Sequence, residues 1–160
     1  MEPSGRVSPD SAVSLQRISA DTLGAILSLA VSEPQREFVA SNERSIAEAH
    51  FDEGAWFRAL YADETPVGFV LLHDESLCAK PRQSGYFFLW RMMIDHRYQR
   101  MGFGRRGLRL VLAHVKSRPD AKQLHTSWRR GEGSAQGFYE KLGFEETGEE
   151  DGEVHAVLDL

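Results

Sequence analysis

Residues 97–110 read RYQRMGFGRRGLRL, with three glycines spaced G-x-G-x-x-G (Gly102, Gly104, Gly107) and, within five residues of Gly102, four arginines (Arg97, Arg100, Arg105, Arg106). No other stretch restricts the fold as much. Immediately before it, YFFLWRMMID at 86–95 is nearly all apolar and reads as a strand covered on both faces. Immediately after it, Leu108, Val111, Leu112 and Val115 recur at i, i+3, i+4 and i+7, one face of a helix over 104–117. A strand that enters a helix through glycines presents free backbone N–H groups and the positive end of the helix dipole to an anion. Without Cβ atoms the backbone can come close to that anion. The pattern predicts an α/β fold with a phosphate-bearing ligand at the turn.

Three kinds of phosphate site share these letters. A dinucleotide fingerprint needs its first glycine directly after a strand inside a βαβ unit. Here Gly102 lies seven residues beyond Asp95, and Arg129 and Arg130 stand where an acidic ribose ligand belongs. A nucleotide P-loop ends in G-K-[ST], whereas Gly107 is followed by Leu108. The third form, Q-x-x-G-x-G, is met by Gln99 through Gly104.

The rest of the chain supplies a frame. Strand character at 13–18 is followed by helices at 21–30 and 33–50, the latter with Ser32 and Gln35 as a capping box and Pro34 in its first turn. Strands at 55–62 and 67–74 flank the turn DETP, and a strand is expected at 122–128. In SAQGFYEKLG a helix puts Ala135, Phe138, Tyr139 and Leu142 on one face, with Gly143 closing it. A last hairpin turns at Asp151-Gly152. The order β-α-α-β-β-β-α-β-α-β-β defines a mixed-sheet α/β fold of one domain, 13–160, behind a flexible tail, 1–12.

The net charge of −5 excludes bulk attraction to nucleic acid or an anionic membrane, so the arginines around Gly102 form a local patch on an acidic protein. One cysteine, Cys78, permits no intrachain disulfide and fits a reducing compartment. MEPSGRVSPDSAV lacks an apolar signal region, and the run YFFLWRMMI is too short to span a bilayer. A soluble, cytoplasmic protein is expected. The six histidines show no paired ligand spacing, so no metal is predicted.

Q-x-x-G-x-G entering an amphipathic helix, followed by FYEKLGF at 138–144, resembles the acetyl-CoA signature of the GNAT superfamily of N-acetyltransferases. LWRMMIDHRYQ, EPQREFVASN and FYEKLGFEETGE are similar to bacterial diamine and polyamine N-acetyltransferases of the spermine/spermidine type. The resemblance implies acetyl-CoA as co-substrate, with its phosphates at Gln99, Arg100, Met101, Gly102, Phe103, Gly104 and Arg105. It also implies that the preceding strand splays open, so that backbone at Met92, Met93 and Ile94 faces the thioester. Glu132, Ser134 and Lys141 are implied to lie near the cofactor. Glu132-Gly133-Ser134 departs from the superfamily's usual asparagine in that loop.

An amine that attacks a thioester needs its proton removed, the oxyanion held and the leaving thiolate protonated. Tyr139 is the candidate general acid, since a phenol's pKa of about 10 is not far from a thiol's value of about 8.5. Many relatives carry a glutamate as base on the strand before the glycines, but Trp90 and Arg91 occupy those positions here. Glu33, Glu37, His73 and Asp74 remain candidates. On a continuous helix over 33–50, Glu37 and Glu48 share a face with Glu33 nearby, and such a face would attract a polycation. By itself such a face also fits a solvated surface of an acidic protein; the resemblance to polyamine acetyltransferases is what implies Glu33 and Glu37 as contacts of a small-molecule amine such as spermidine. Two alternatives stay open, a protein or peptide N-acetyltransferase and a non-catalytic acyl-CoA-binding module, and so does a homodimer.

Overall fold

The computed structural model describes residues 6–160. Its elements run β1 (Val13–Gln16), α1 (Ala20–Leu27), α2 (Asn42–His50), β2 (Ala55–Ala62), β3 (Thr65–Asp74), β4 (Phe87–Ile94), α3 (Phe103–Lys116), β5 (Gln123–Arg129), α4 (Gln136–Lys141), β6 (Glu145–Glu150) and β7 (Glu153–Asp159). This is the expected order of helices and strands. All seven strands join one sheet, β1-β2-β3-β4-β5-β7-β6.

Alternation along β3 divides the core into two layers. Val70 and Leu72 pack with Leu108, Val111 and Val115 of α3 and with Tyr139 of α4. Phe69 and Leu71 point the other way, into a cluster with Ile26 of α1 and Ala49 of α2. Leu108, Val111 and Val115 are completely buried, each stabilising the fold by about 1.5–3 kcal/mol. The hairpin between β6 and β7 turns at Asp151 and Gly152, both with positive φ (51° and 80°), as a tight turn of this hand requires.

Two features of the sheet position the site. Between β3 and β4 the register shifts: Leu71 opposes Arg91 and Leu72 opposes Leu89, so Trp90 is an extra, bulged residue. The parallel pairing of β4 with β5 covers only Phe88↔His125 and Leu89↔Thr126. Beyond Leu89 the two strands part, and the β4 edge from 90 to 94 has no strand partner on that side.

The predicted helix over 33–50 is not one helix. Glu33–Gln35 forms a single 3-10 turn, residues 36–39 follow as turn and bend, and α2 starts afresh at Asn42. The local chemistry explains the break. Ser32 N–H donates to Gln35 Oε1 at 3.3 Å, while Ser41 Oγ accepts from Arg44 N–H at 3.2 Å and supplies its own cap. Between them Phe38 leaves helical register to pack over Gly131 and Gly133, where an added Cβ would meet its ring. Glu37 and Glu48 therefore do not share a helix face. Of the predicted tail, residues 1–5 lie outside the described residues, and the carbonyls of Pro9 and Ser11 both accept from the Arg106 guanidinium at 2.8 Å. Among the described residues no helix is long and apolar enough to cross a membrane.

Candidate active site

The parting of β4 from β5 opens two adjoining cavities, of about 610 and 390 Å³. They share a wall built from Phe38, Val39, Met92, Ser134, Ala135 and Tyr139.

The smaller cavity lies at the glycine turn. Gly102 caps α3 with φ of 82°, a left-handed conformation that glycine adopts at little cost. Arg100, just before it, holds φ of 63° with a full side chain, a strain of about 1–2 kcal/mol kept where the loop must present its N–H groups. At Gly104 an added Cβ would stand 3.2 Å from the Phe138 ring, so the glycine keeps the cavity floor open. Met92, Met93, Ile94, Gln99, Arg100, Gly102, Phe103, Gly104 and Arg105 all line this cavity.

The four arginines divide. Arg100 and Arg105 line the cavity, Arg106 holds the N-terminal segment, and Arg97 pairs with Asp95 at 2.8 Å. Asp95 is a residue that sequence reasoning missed. It is 1% exposed and accepts from the backbone N–H of Ala30 and of Arg97, both at 3.0 Å, as well as from the Arg97 side chain. Burial pulls its carboxyl pKa upward, but these hydrogen bonds outweigh it and hold the group below the usual carboxylate range. Gln99 also braces the fold. Its amide donates to the Ile94 carbonyl at 2.9 Å and to Gln35 Oε1 at 2.8 Å, clamping the end of β4 to the 33–35 turn.

Tyr139 occupies the shared wall. Its ring stacks on Trp128 with centroids 5.8 Å apart, and only 6% of the residue is exposed. Burial pushes the phenol up to about 12, while a hydrogen bond with the Thr126 hydroxyl pulls slightly the other way. Thr126 in turn donates to the Leu89 carbonyl at 3.0 Å, where the strands begin to part. Ser134 Oγ bonds the Arg129 carbonyl and accepts from Gln136 N–H at 3.2 Å, which fixes the start of α4.

The larger cavity is polar. Four arginines line it, and each has a carboxylate partner: Arg36 with Glu33 at 2.9 Å, Arg44 and Arg91 with Glu48 at 2.7 Å each, and Arg129 with Glu153 at 3.8 Å. Glu37 also lines it, and among the described residues no ion-pair partner meets its carboxylate. His155 and Glu153 enter from β7, and Ser127 donates to Glu153 at 2.9 Å. Glu48 makes a poor base, because hydrogen bonds from Arg44 and then Arg91 lower its pKa.

Other expected positions fall elsewhere. Met101 packs beneath the turn beside Phe103, while Glu132 and Lys141 are exposed and line neither cavity. Glu33 reaches the larger cavity only through Arg36. Two of the candidate bases are engaged away from both cavities, His73 between Asp52 and Glu75, and Asp74 with Arg118.

The acetyltransferase (GNAT) family matches residues 23–144. A spermine/spermidine N(1)-acetyltransferase from Bacillus subtilis is 27% identical over 152 residues, covering 92% of this chain and 99% of the relative. Among solved structures, a PaiA N-acetyltransferase from Thermoplasma acidophilum, solved with coenzyme A, superposes with a TM-score of 0.67 at 16% identity over 93% of this chain and 99% of that one. The ribosomal-protein-S18-alanine N-acetyltransferase of Escherichia coli gives 0.66 at 19% identity over 92% and 94%. The chain belongs to the GNAT family of acetyltransferases. It is an acetyl-CoA-dependent N-acetyltransferase, and acetyl-CoA is its co-substrate.

Proposed function

We propose that the chain acetylates a primary amine of a small di- or polyamine such as spermidine, with acetyl-CoA in the smaller cavity and the amine in the larger. The observation that carries this reading is Glu37. With its partners counted, the larger cavity holds four guanidiniums and four carboxylates, so discrimination is local rather than a matter of bulk field. Glu37 is the carboxylate left without a cation among the described residues. An ammonium held there lets a second, neutral amine reach the shared wall. The names of the relatives from Bacillus subtilis point the same way.

Acetyl-CoA supplies the acetyl group and a thiolate leaving group. The open floor at Gly104 and the guanidiniums of Arg100 and Arg105, unpaired among the described residues, fit its phosphates. The amine nitrogen attacks the carbonyl carbon, the C–S bond breaks, and the unpaired β4 edge at 92–94 offers N–H groups to the oxygen. Besides Tyr139, Glu37 and His155 are the titratable side chains lining the larger cavity outside the ion pairs among the described residues, and either takes the amine's proton directly or through water.

Tyr139 acts on the departing sulfur. At about 12 its phenol is a weaker acid than the thiol. Complete transfer would run uphill by about 3.5 pKa units, or about 5 kcal/mol. Its contribution is therefore a hydrogen bond donated as charge builds on sulfur, and the last proton comes from solvent. Incubating acetyl-CoA with spermidine, monoamines and peptides and weighing the products tests the reading. Monoacetylated spermidine in excess over the others is expected; exclusive acetylation of peptides would replace it.

A further inference from the structure

A second cluster of chemically active side chains lies at the other end of β3 from the glycine turn. His73 is the last residue but one of that strand, and the chain then makes one 3-10 turn, Glu75–Leu77. Cys78 N–H donates to the Glu75 carbonyl at 3.1 Å and closes the turn. With three residues per turn, positions i and i+3 eclipse, which brings Glu75 and Cys78 to the same side. One donor atom each from His73, Glu75 and Cys78 lies within 4.8 Å of the other two.

The surroundings orient these groups. His73 Nε2 stands 2.7 Å from Glu75 Oε2, and on the other side of the ring Nδ1 is 2.9 Å from Asp52 Oδ2. Asp52 is itself fixed by the Gly54 N–H at 2.8 Å, and Glu75 Oε1 is occupied by the Arg82 N–H at 2.7 Å. A carboxylate on the second ring nitrogen is the usual partner of a metal-bound histidine, because it sets the tautomer and leaves Nε2 for the ion. Imidazole, carboxylate and thiolate together favour zinc-like ions over magnesium or calcium. A simple ion triad of Asp52, His73 and Glu75 would leave the thiol beside it with nothing to do. The spacing H-x-E-x-x-C uses a single histidine, so a scan for paired histidines passes over it.

We propose that His73, Glu75 and Cys78 bind one zinc-class divalent cation, with Asp52 as the positioning residue for His73. Binding releases to solvent the thiol proton and the proton that His73 Nε2 shares with Glu75, and thiolate plus carboxylate then balance the ion's two charges. Acetyl transfer takes no step through it. The ion ties the loop after β3 to His73, which Asp52 links to the 52–54 turn, and His73 pairs across the sheet with Phe88, which lines the larger cavity. A structural role beside the amine site follows.

The test is titration of metal-free protein with cobalt(II), followed by absorption. One equivalent should bind with a thiolate-to-cobalt charge-transfer band, and zinc should displace it. Cys78→Ser should abolish the band, and Asp52→Asn should weaken binding by about 10- to 100-fold with the band retained. Both changes lie at a loop or turn, which keeps the test independent of whether His73→Ala folds. Absence of the band in the parent protein, or parental affinity in both variants, overturns the proposal.

Discussion

Tyr139 puts a phenol where the two cavities meet, and its burial carries two consequences. Tyr139→Phe keeps the ring on Trp128 and removes only the donor. A lost hydrogen bond to developing charge costs about 10²–10³ in kcat. Steady-state kinetics should show that loss with the affinity for coenzyme A unchanged; activity within a few-fold of the parent would make the ring a packing group. The second consequence is alkaline. The folded pKa of about 12 lies above the unfolded value, so the folded state keeps a proton that the unfolded state gives up. Stability from this group is complete below pH ~10 and is lost between about 10 and 12, by about 2–3 kcal/mol. Thermal melts across that range should fall more steeply for the parent than for Tyr139→Phe.

Asp95 gives the opposite dependence. Its folded pKa is depressed, so its contribution is present above the unfolded value and disappears as pH falls through the folded one. Asp95→Ala leaves the Ala30 N–H and the Arg97 pair without an acceptor, a cost of about 1–3 kcal/mol at neutral pH. Melts of this variant should converge on the parent in strong acid.

At the scale of elements, the turn into α3 carries the proposed contacts with coenzyme A. Gly104→Val sets a branched side chain against Phe138 and across the cavity floor. Calorimetry should show coenzyme A binding at least about tenfold weaker, a loss of about 1.4 kcal/mol or more. Ser41→Ala removes the cap of α2 and should lower stability by about 0.5–2 kcal/mol, read from urea melts. The turn and its helix were legible in the sequence because their signals are local: glycines, alternation, and the apolar face from Leu108 to Val115. Strand β2 was legible for the same reason, and its observed span, Ala55–Ala62, is the predicted one.

The segment from 33 to 41 was not legible. A capping box, a proline and many polar residues read as one helix, whereas Phe38 answers to the 131–133 loop far along the chain. The same limit applies to the larger cavity. Ser127 and His155 meet only because β5 and β7 pair across the sheet, and no local pattern announces it. Helical periodicity singles out Glu37 on a helix that does not exist, yet the residue lines the cavity for another reason. The further turn at 36–38, after the 3-10 turn, carries it there.

The whole molecule is acidic, with its larger cavity balanced in charge and its outer strand β6 fully exposed and rich in glutamate. Such an edge resists pairing with another chain. Long-range attraction of a polycation to this surface should be screened over about 8–10 Å at physiological ionic strength. KM for spermidine should therefore rise with salt, and rise again in Glu37→Gln, while KM for acetyl-CoA does not change in that variant. Initial rates at several salt concentrations decide this.

The most direct measurement of the central claim is the product distribution from a mixed panel of amines, comparing the parent with Glu37→Gln by mass spectrometry. The account predicts acetyl transfer chiefly to di- and polyamines in the parent, and a selective loss of those products in the variant. Equal acetylation of polyamines and monoamines by both proteins would contradict it.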